Sequence, residues 1–157
     1  MPLAIEFSQS IKLACMATFQ PIYQEFCTYK SLSGTHSRPT NAEQKQFVSI
    51  SDLFGRDRFN ADDELKIELS AESLTHLHTI QEGCTWEDSS GYRLAQWSCT
   101  SNSYLIYSYF VHLSTRYYFV VDFIDNNAHA SWKNTLAKKI WLSDAKIYRE
   151  SIIGKNT

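Results

Sequence analysis

Histidines hold the spacings in this sequence that come closest to known chemistry. His76 and His78 are two residues apart, so a β-strand would place both rings on one face, where they could bind one metal ion. On a helix the same two side chains would point away from each other. Because no spacing selects a third ligand, we expect no metal, and His76 with His78 is the alternative metal pair.

Two short His-x-Ser triplets offer a second kind of chemistry. His112 with Ser114, and His129 with Ser131, fit the pattern in which paired histidines act as acid and base on a phosphodiester. Only 17 residues separate the two histidines, whereas phosphoesterases of this type place them in separate half-domains. We therefore favour a protein without catalytic residues, with these four side chains as the alternative set.

Glycine and cysteine positions exclude several other classes of site. All five glycines stand alone, so the clustered glycines of a phosphate loop or a dinucleotide fingerprint are missing, as is the Gly-x-Ser-x-Gly nucleophile motif. The four cysteines are separated by 12, 57 and 15 residues, which is not the spacing of a zinc knuckle. We expect free thiols and no cofactor.

Charge is balanced overall but uneven along the chain. Fifteen basic and 17 acidic residues give a net charge of -2, which argues against a nucleic acid or a membrane surface as a partner. Residues 57–88 hold nine acidic side chains, whereas residues 131–157 are basic. We expect the acidic stretch to steer a basic protein partner through four side chains, which are Asp62, Asp63, Glu64 and Glu68.

Aromatic residues concentrate in one part of the chain. Eight of them lie between residues 104 and 124, more than one sheet face readily buries, and Tyr107 and Tyr109 are candidate interface anchors. Residues 116–123 also match part of an RNA-recognition consensus, but they lack its glycine and no basic excess accompanies them. The pattern therefore favours core packing and protein contact over binding of nucleic acid.

The first half of the chain predicts helices followed by weaker strands. Apolar residues at spacings of three and four over residues 3–18 predict an amphipathic helix, and Pro21 should open a second one. Residues 31–45 are polar and predict a loop. Two strands are predicted, at residues 47–50 and 65–69, and the stretch that follows, residues 70–81, fits either a helix or a strand.

The second half of the chain predicts a sheet and a closing helix. Three runs rich in β-branched and aromatic residues predict an antiparallel meander, at residues 92–99, 104–113 and 116–124. The last run is apolar on both faces, as expected of a central strand. Ser131 should cap a helix, interrupted at Ser143 and Asp144, whose inner face carries Trp132, Leu136 and Ile140. Residues 147–153 fit an edge strand or more helix.

Together these patterns predict one α+β domain over residues 1–157, with N-terminal helices packed on an antiparallel β-meander of about five strands and a C-terminal helix. The sequence shows no signal peptide and no apolar run of membrane length, so we expect a cytoplasmic location. We predict a small module that acts by protein–protein contact, of the immunity, inhibitor or chaperone type. The alternative is a small-molecule-binding or hydrolytic domain with an aromatic-lined pocket and histidine acid/base residues.

Overall fold

One mixed sheet organises the protein, whose computed structural model describes residues 3–34, 37–59 and 65–154. Within these residues five strands lie in the order β1-β5-β4-β3-β2, with bounds Ala4–Gln9 (β1), Phe54–Arg58 (β2), Thr75–Thr79 (β3), Tyr104–His112 (β4) and Thr115–Ile124 (β5). The strands β2 to β5 form an antiparallel meander, and β1 pairs with β5 in parallel. The predicted α+β fold is confirmed, and β5 is a central strand as its two apolar faces indicated.

Helices cover both faces of this sheet. One face carries α1 (Ile11–Ala14) and α2 (Gln20–Leu32), while the other carries α4 (Lys66–Glu72), α5 (Ala128–Trp132) and α6 (Thr135–Gly154). The short helix α3 (Asn41–Gln46) and the 3₁₀ turn Gln96–Ser98 lie beside β2. Since successive strand residues point to opposite faces, β4 and β5 supply both cores. The α2 core includes Leu105, Tyr107 and Tyr118, and the α6 core includes Ile106, Phe119 and Val121.

The N-terminal segment forms a strand rather than the predicted helix. Ile5 and Phe7 of β1 pack against the α2 core, while Ala4 and Glu6 are exposed, so the segment has a period of two. The parallel strand β5 forms the backbone hydrogen bonds that β1 needs, and the local sequence of residues 3–18 cannot predict that pairing. The later part of the prediction is confirmed, because α2 begins at Gln20 with Pro21 in its first turn.

Three predicted strands are also corrected. Residues 65–69 belong largely to α4, because buried Leu69 and Glu72 are three residues apart and exposed Ile67 points to solvent. Residues 47–50 make only an isolated bridge, from Val48 to Ala95, and residues 92–99 contain a 3₁₀ turn instead of a strand. The ambiguous stretch from residue 70 to 81 ends α4 and then forms β3, whose residues are all buried.

The C-terminal helix is continuous and rotated relative to the prediction. The helix α6 runs through Ser143 and Asp144 and includes residues 147–153. Its buried positions are Lys138, Trp141, Leu142 and Ala145, whereas Leu136 and Ile140 are exposed. The cause is a break after α5, since a new helix that starts at Thr135 has a different phase from one that starts at Ser131. Within the described residues, no helix has both the length and the apolar character needed to cross a membrane.

Candidate functional site

A basic cavity of about 750 Å³ opens on the α6 side of the sheet. Strands β2, β3 and β4 form its floor, and α5 with the start of α6 forms its wall. No carboxylate occurs among the described residues that line it. Its charged, imidazole and aromatic lining consists of Arg56, Arg58, Lys133, Lys138, His76, His78, His129, Tyr104 and Trp132.

Strand register brings the floor residues together. Arg58 pairs directly with His76 across β2 and β3, and His78 pairs with Tyr104 across β3 and β4. Directly paired residues share a face of the sheet, and so do residues two apart on one strand. Arg56, Arg58, His76, His78 and Tyr104 therefore all project toward the cavity.

The two β3 histidines are held neutral by their surroundings. Burial, with Arg56 nearby, lowers the pKa of His78 to about 4. His78 Nδ1 lies 2.8 Å from the backbone N of Ser101 and 3.0 Å from its carbonyl oxygen, so Ser101 holds the ring in place in either tautomer. Burial and the neighbouring His78 lower the pKa of His76 well below its usual value. At neutral pH the cavity floor thus offers uncharged imidazoles beside two arginines.

Two buried polar atoms of the cavity have no hydrogen-bond partner among the described residues. They are Nδ1 of His76 and Nε1 of Trp132, whose ring centroids lie 4.3 Å apart. An unpaired buried donor or acceptor costs about 1–3 kcal/mol, so such atoms are rare unless a ligand or water satisfies them. Both residues line the basic cavity, whose four cations favour an anionic ligand.

The mouth of the cavity carries a histidine and two lysines. His129 is exposed, its Nδ1 lies 3.4 Å from the hydroxyl of Tyr104, and its backbone N–H donates to Asn102 Oδ1 at 2.8 Å. Lys133 is exposed, while Lys138 is buried with its Nζ 5.2 Å from the Trp132 ring centroid. Burial lowers the pKa of Lys138. The mouth therefore combines a proton-transfer group with positive charge.

A buried ion pair supports β2 from the opposite face of the sheet. Lys30 Nζ donates to Asp57 Oδ2 at 2.6 Å, and both side chains are fully buried. The hydroxyls of Tyr107 and Tyr29 donate to the same carboxylate at 2.6 and 3.0 Å. The side-chain amide of Gln44 accepts a hydrogen bond from the backbone N–H of Asp57 and donates one to its carbonyl oxygen. Burial lowers the pKa of Lys30 to about 8, against the attraction of Asp57. Since Asp57 lies between Arg56 and Arg58, these contacts fix the strand that carries both arginines.

The structure separates the two predicted His-x-Ser triplets. His129 lies at the cavity, beside Tyr104, whereas His112 is eight residues from Tyr104 along β4, or roughly 26 Å at about 3.3 Å per residue. Ser131 does not cap a helix but belongs to α5, and Ser114 lies in the β4–β5 turn. His129 is therefore the member of that set that the cavity contains.

The other predicted site residues lie apart from one another. Asp62, Asp63 and Glu64 lie outside the described residues, and Glu68 is exposed on α4. Tyr107 is fully buried and bonded to Asp57, so it does not present a surface, while Tyr109 is partly buried. The role of the four acidic residues in partner binding stays a prediction. His76 and His78 do share a face, with ring centroids 5.6 Å apart, but no group of three or more possible metal ligands occurs among the described residues.

Sequence reasoning missed the cations of the site. Arg56 and Arg58 repeat at a period of two, as His76 and His78 do, so each pair alone signals one face of a strand. The two pairs come together only through the pairing of β2 with β3, which joins segments about 20 residues apart in sequence. The expectation of no nucleic-acid partner assumed that the sheet has no basic excess, and the assembled cavity removes that reason.

Comparison with curated proteins and with solved structures finds no match. A family comparison does find one, described as Toxin YafO, type II toxin-antitoxin system, over residues 29–150. The matched residues include the last four residues of α2, all of α3 to α5 and β2 to β5, and most of α6, and thus the whole basic cavity. The chain therefore belongs to the YafO family of toxins of type II toxin-antitoxin systems, small proteins that act through contact with an antitoxin.

Proposed function

We propose that this toxin binds RNA in the basic cavity and cleaves it at a phosphodiester bond. One observation carries the proposal: four cations and three histidines line one cavity in which the described residues include no carboxylate. The cavity favours the alternative that the sequence left open. That alternative is a hydrolytic domain with an aromatic-lined pocket and histidine acid/base residues.

Recognition of the phosphate follows from the charges. Arg56 and Arg58 are adjacent on one strand face, and guanidinium groups suit the bidentate binding of phosphate. The neutral ring of His78 adds an uncharged hydrogen-bonding group to the site. Tyr104 and Trp132 offer aromatic faces to a base or a ribose.

The histidines supply proton transfer. In the proposed reaction the 2′-oxygen of a ribose attacks the adjacent phosphorus, and the bond from phosphorus to the next 5′-oxygen breaks. His76, which is neutral because burial lowers its pKa, accepts the proton of the 2′-hydroxyl. His129 donates a proton to the departing 5′-oxygen. The products are a 2′,3′-cyclic phosphate and a free 5′-hydroxyl.

Arg56 and Arg58 stabilise the transition state of this reaction. As the 2′-oxygen attacks, negative charge builds up on the oxygens of the phosphorus, and fixed cations in a cavity stabilise that charge without reorganising. The contacts of Asp57 with Lys30 and Gln44 hold β2 in place during this step. In this proposal Asp57, Lys30 and Gln44 position the strand, and the two arginines contact the reacting group directly.

The proposal is tested by adding purified toxin to a cell-free translation extract that contains a defined messenger RNA. We expect fragments with 5′-hydroxyl and 2′,3′-cyclic phosphate ends. His129→Ala should slow cleavage at least about 100-fold, since general acid–base catalysis contributes roughly 10²–10⁴-fold. His129 is exposed, so this substitution should leave folding intact.

Lys139→Ala is the matched control. Lys139 is an exposed cation of α6 that does not line the basic cavity. Its replacement by alanine changes the net charge as much as the replacement of a lysine in the cavity. We expect wild-type cleavage for this variant and reduced cleavage for Lys133→Ala. If translation stops while the RNA stays intact, or if His129→Ala cleaves as fast as wild type, the proposed function is wrong.

A further inference from the structure

Beside the basic cavity, three cations surround one indole ring. The centroid of the Trp97 ring lies 4.3 Å from Arg56 Cζ, 5.2 Å from Lys45 Nζ and 5.7 Å from Arg58 Cζ. Arg56 and Arg58 also line the basic cavity, so these two side chains connect the cavity with Trp97. Trp97 is partly exposed and Lys45 is exposed.

The turn that carries Trp97 is fixed tightly on β2. Arg56 donates to the carbonyl oxygen of Trp97 through Nε at 2.6 Å and to that of Cys99 through its backbone N–H at 2.8 Å. Gln96 Nε2 donates to the carbonyl oxygen of Gly55 at 2.9 Å. A Cβ on Gly55 would lie 2.2 Å from the carbonyl oxygen of Cys99, so this close approach needs glycine. The backbone of the turn is therefore held on β2 by these contacts.

Among the described residues, the cations around Trp97 have no acidic partner. None of the ion pairs between described residues involves Lys45, Arg56 or Arg58. Like charges at short range repel one another, and an anion placed between them would relieve that repulsion. The cluster thus favours an anionic ligand that extends beyond the cavity.

From this arrangement we infer that Trp97 and Lys45 form an outer subsite for the nucleotide next to the one in the basic cavity. The inference rests on the proposed function and narrows its substrate to single-stranded RNA. A partly exposed aromatic ring beside a line of cations suits a strand whose base stacks on the ring while its phosphates follow the cations. In a duplex the bases are already stacked on each other and do not reach such a ring.

The test measures binding of labelled oligouridylates of one to four nucleotides, with 2′-fluoro groups in place of the 2′-hydroxyls so that they are not cleaved. Wild-type affinity should rise between one nucleotide and two or three. Trp97→Leu should remove that rise and weaken binding of the longer oligomers about tenfold, within the range for one lost base–aromatic stack. Binding of the mononucleotide should not change.

Lys45→Ala supplies an independent readout that does not alter the indole. Its loss should reduce the salt dependence of binding by about 0.7 in the slope of log K against log salt concentration, as expected for one phosphate contact to a single strand. Tyr92→Ala and Lys139→Ala are matched controls, because Tyr92 is exposed and neither residue lies in the cavity or beside Trp97.

The outcomes separate the two proposals. Mononucleotide binding without a gain from length, or unchanged binding by both Trp97→Leu and Lys45→Ala, overturns the outer subsite and leaves the cavity proposal standing. Equal affinity for a blunt-ended RNA duplex that is long enough to stay paired overturns the assignment to single strands. If no oligomer binds the wild-type protein, the proposed function and the outer subsite both fail.

Discussion

Replacing Asp57 by asparagine should destabilise the protein strongly. The carboxylate accepts hydrogen bonds from Lys30, Tyr107 and Tyr29 in a site that excludes solvent. Asparagine keeps the size and one acceptor oxygen, so the main loss is the counterion of the buried Lys30 ammonium. Breaking a buried ion pair by removing one partner costs about 3–5 kcal/mol.

An upper limit follows from the chemistry of lysine. A lysine amine has an ordinary pKa of 10.5, which is about 3.5 units above pH 7. At roughly 1.36 kcal/mol per unit, removing its proton at pH 7 costs about 5 kcal/mol. A lysine without a counterion would take that route rather than stay charged in the core. We therefore expect Asp57→Asn to reduce the free energy of unfolding by about 3–5 kcal/mol.

Urea unfolding followed by circular dichroism measures this loss as a shift of the midpoint at constant slope. The control is Lys12→Ala, which breaks the exposed pair with Asp122 at 3.1 Å and should cost about 1 kcal/mol or less. Adding Lys30→Met to Asp57→Asn should restore part of the stability, because the unpaired ammonium is then gone. A loss below about 1 kcal/mol for Asp57→Asn, or no recovery in the double variant, would refute this account of the pair.

Three further predictions concern the cavity floor, the core and the close approach beside β2. The pKa of His78 is about 4 in the folded state and 6.5 in the unfolded state, so the unfolded state binds a proton first as pH falls. Between pH 7 and pH 5 the free energy of unfolding of wild type should therefore fall by about 2 kcal/mol more than that of His78→Gln, as measured by urea unfolding. Equal losses would contradict this. Phe119→Ala removes a buried ring and should cost about 3–5 kcal/mol in the same assay, and a cost below 1 kcal/mol would show that the ring is dispensable to the core. Gly55→Ala should raise the unfolding rate and reduce the free energy of unfolding by about 1–3 kcal/mol. The control is Gly34→Ala, whose new Cβ meets nothing within 4 Å and whose stability should stay near that of wild type. Equal effects of the two substitutions would exclude the predicted clash.

Local patterns predicted the parts of the fold that depend on local chemistry. The strands β4 and β5, the start of α2 at Pro21 and the α+β class follow from alternation, aromatic content and proline geometry. The family also confirms a protein partner, the antitoxin, at the level of the predicted protein contact. It is a family of toxins, and no finding supports an immunity or inhibitor protein.

Long-range pairing explains what the sequence did not show. The strand β1 exists because β5, more than 100 residues away, satisfies its backbone. The cavity likewise joins β2, β3 and α5, and no single window of the sequence contains its charges. Lys138 and Trp132 reach it only because α5 and α6 are separate helices with different phases.

The most direct test of the central claim is to map where RNA contacts the protein. RNA that contains 4-thiouridine is crosslinked by ultraviolet light to the His129→Ala variant, which should bind without cleaving, and the crosslinked peptides are identified by mass spectrometry. The account predicts crosslinks to peptides that contain Tyr104 or Trp132, both of which line the basic cavity. Crosslinks confined to peptides of α1 and α2, on the opposite face of the sheet, would contradict it.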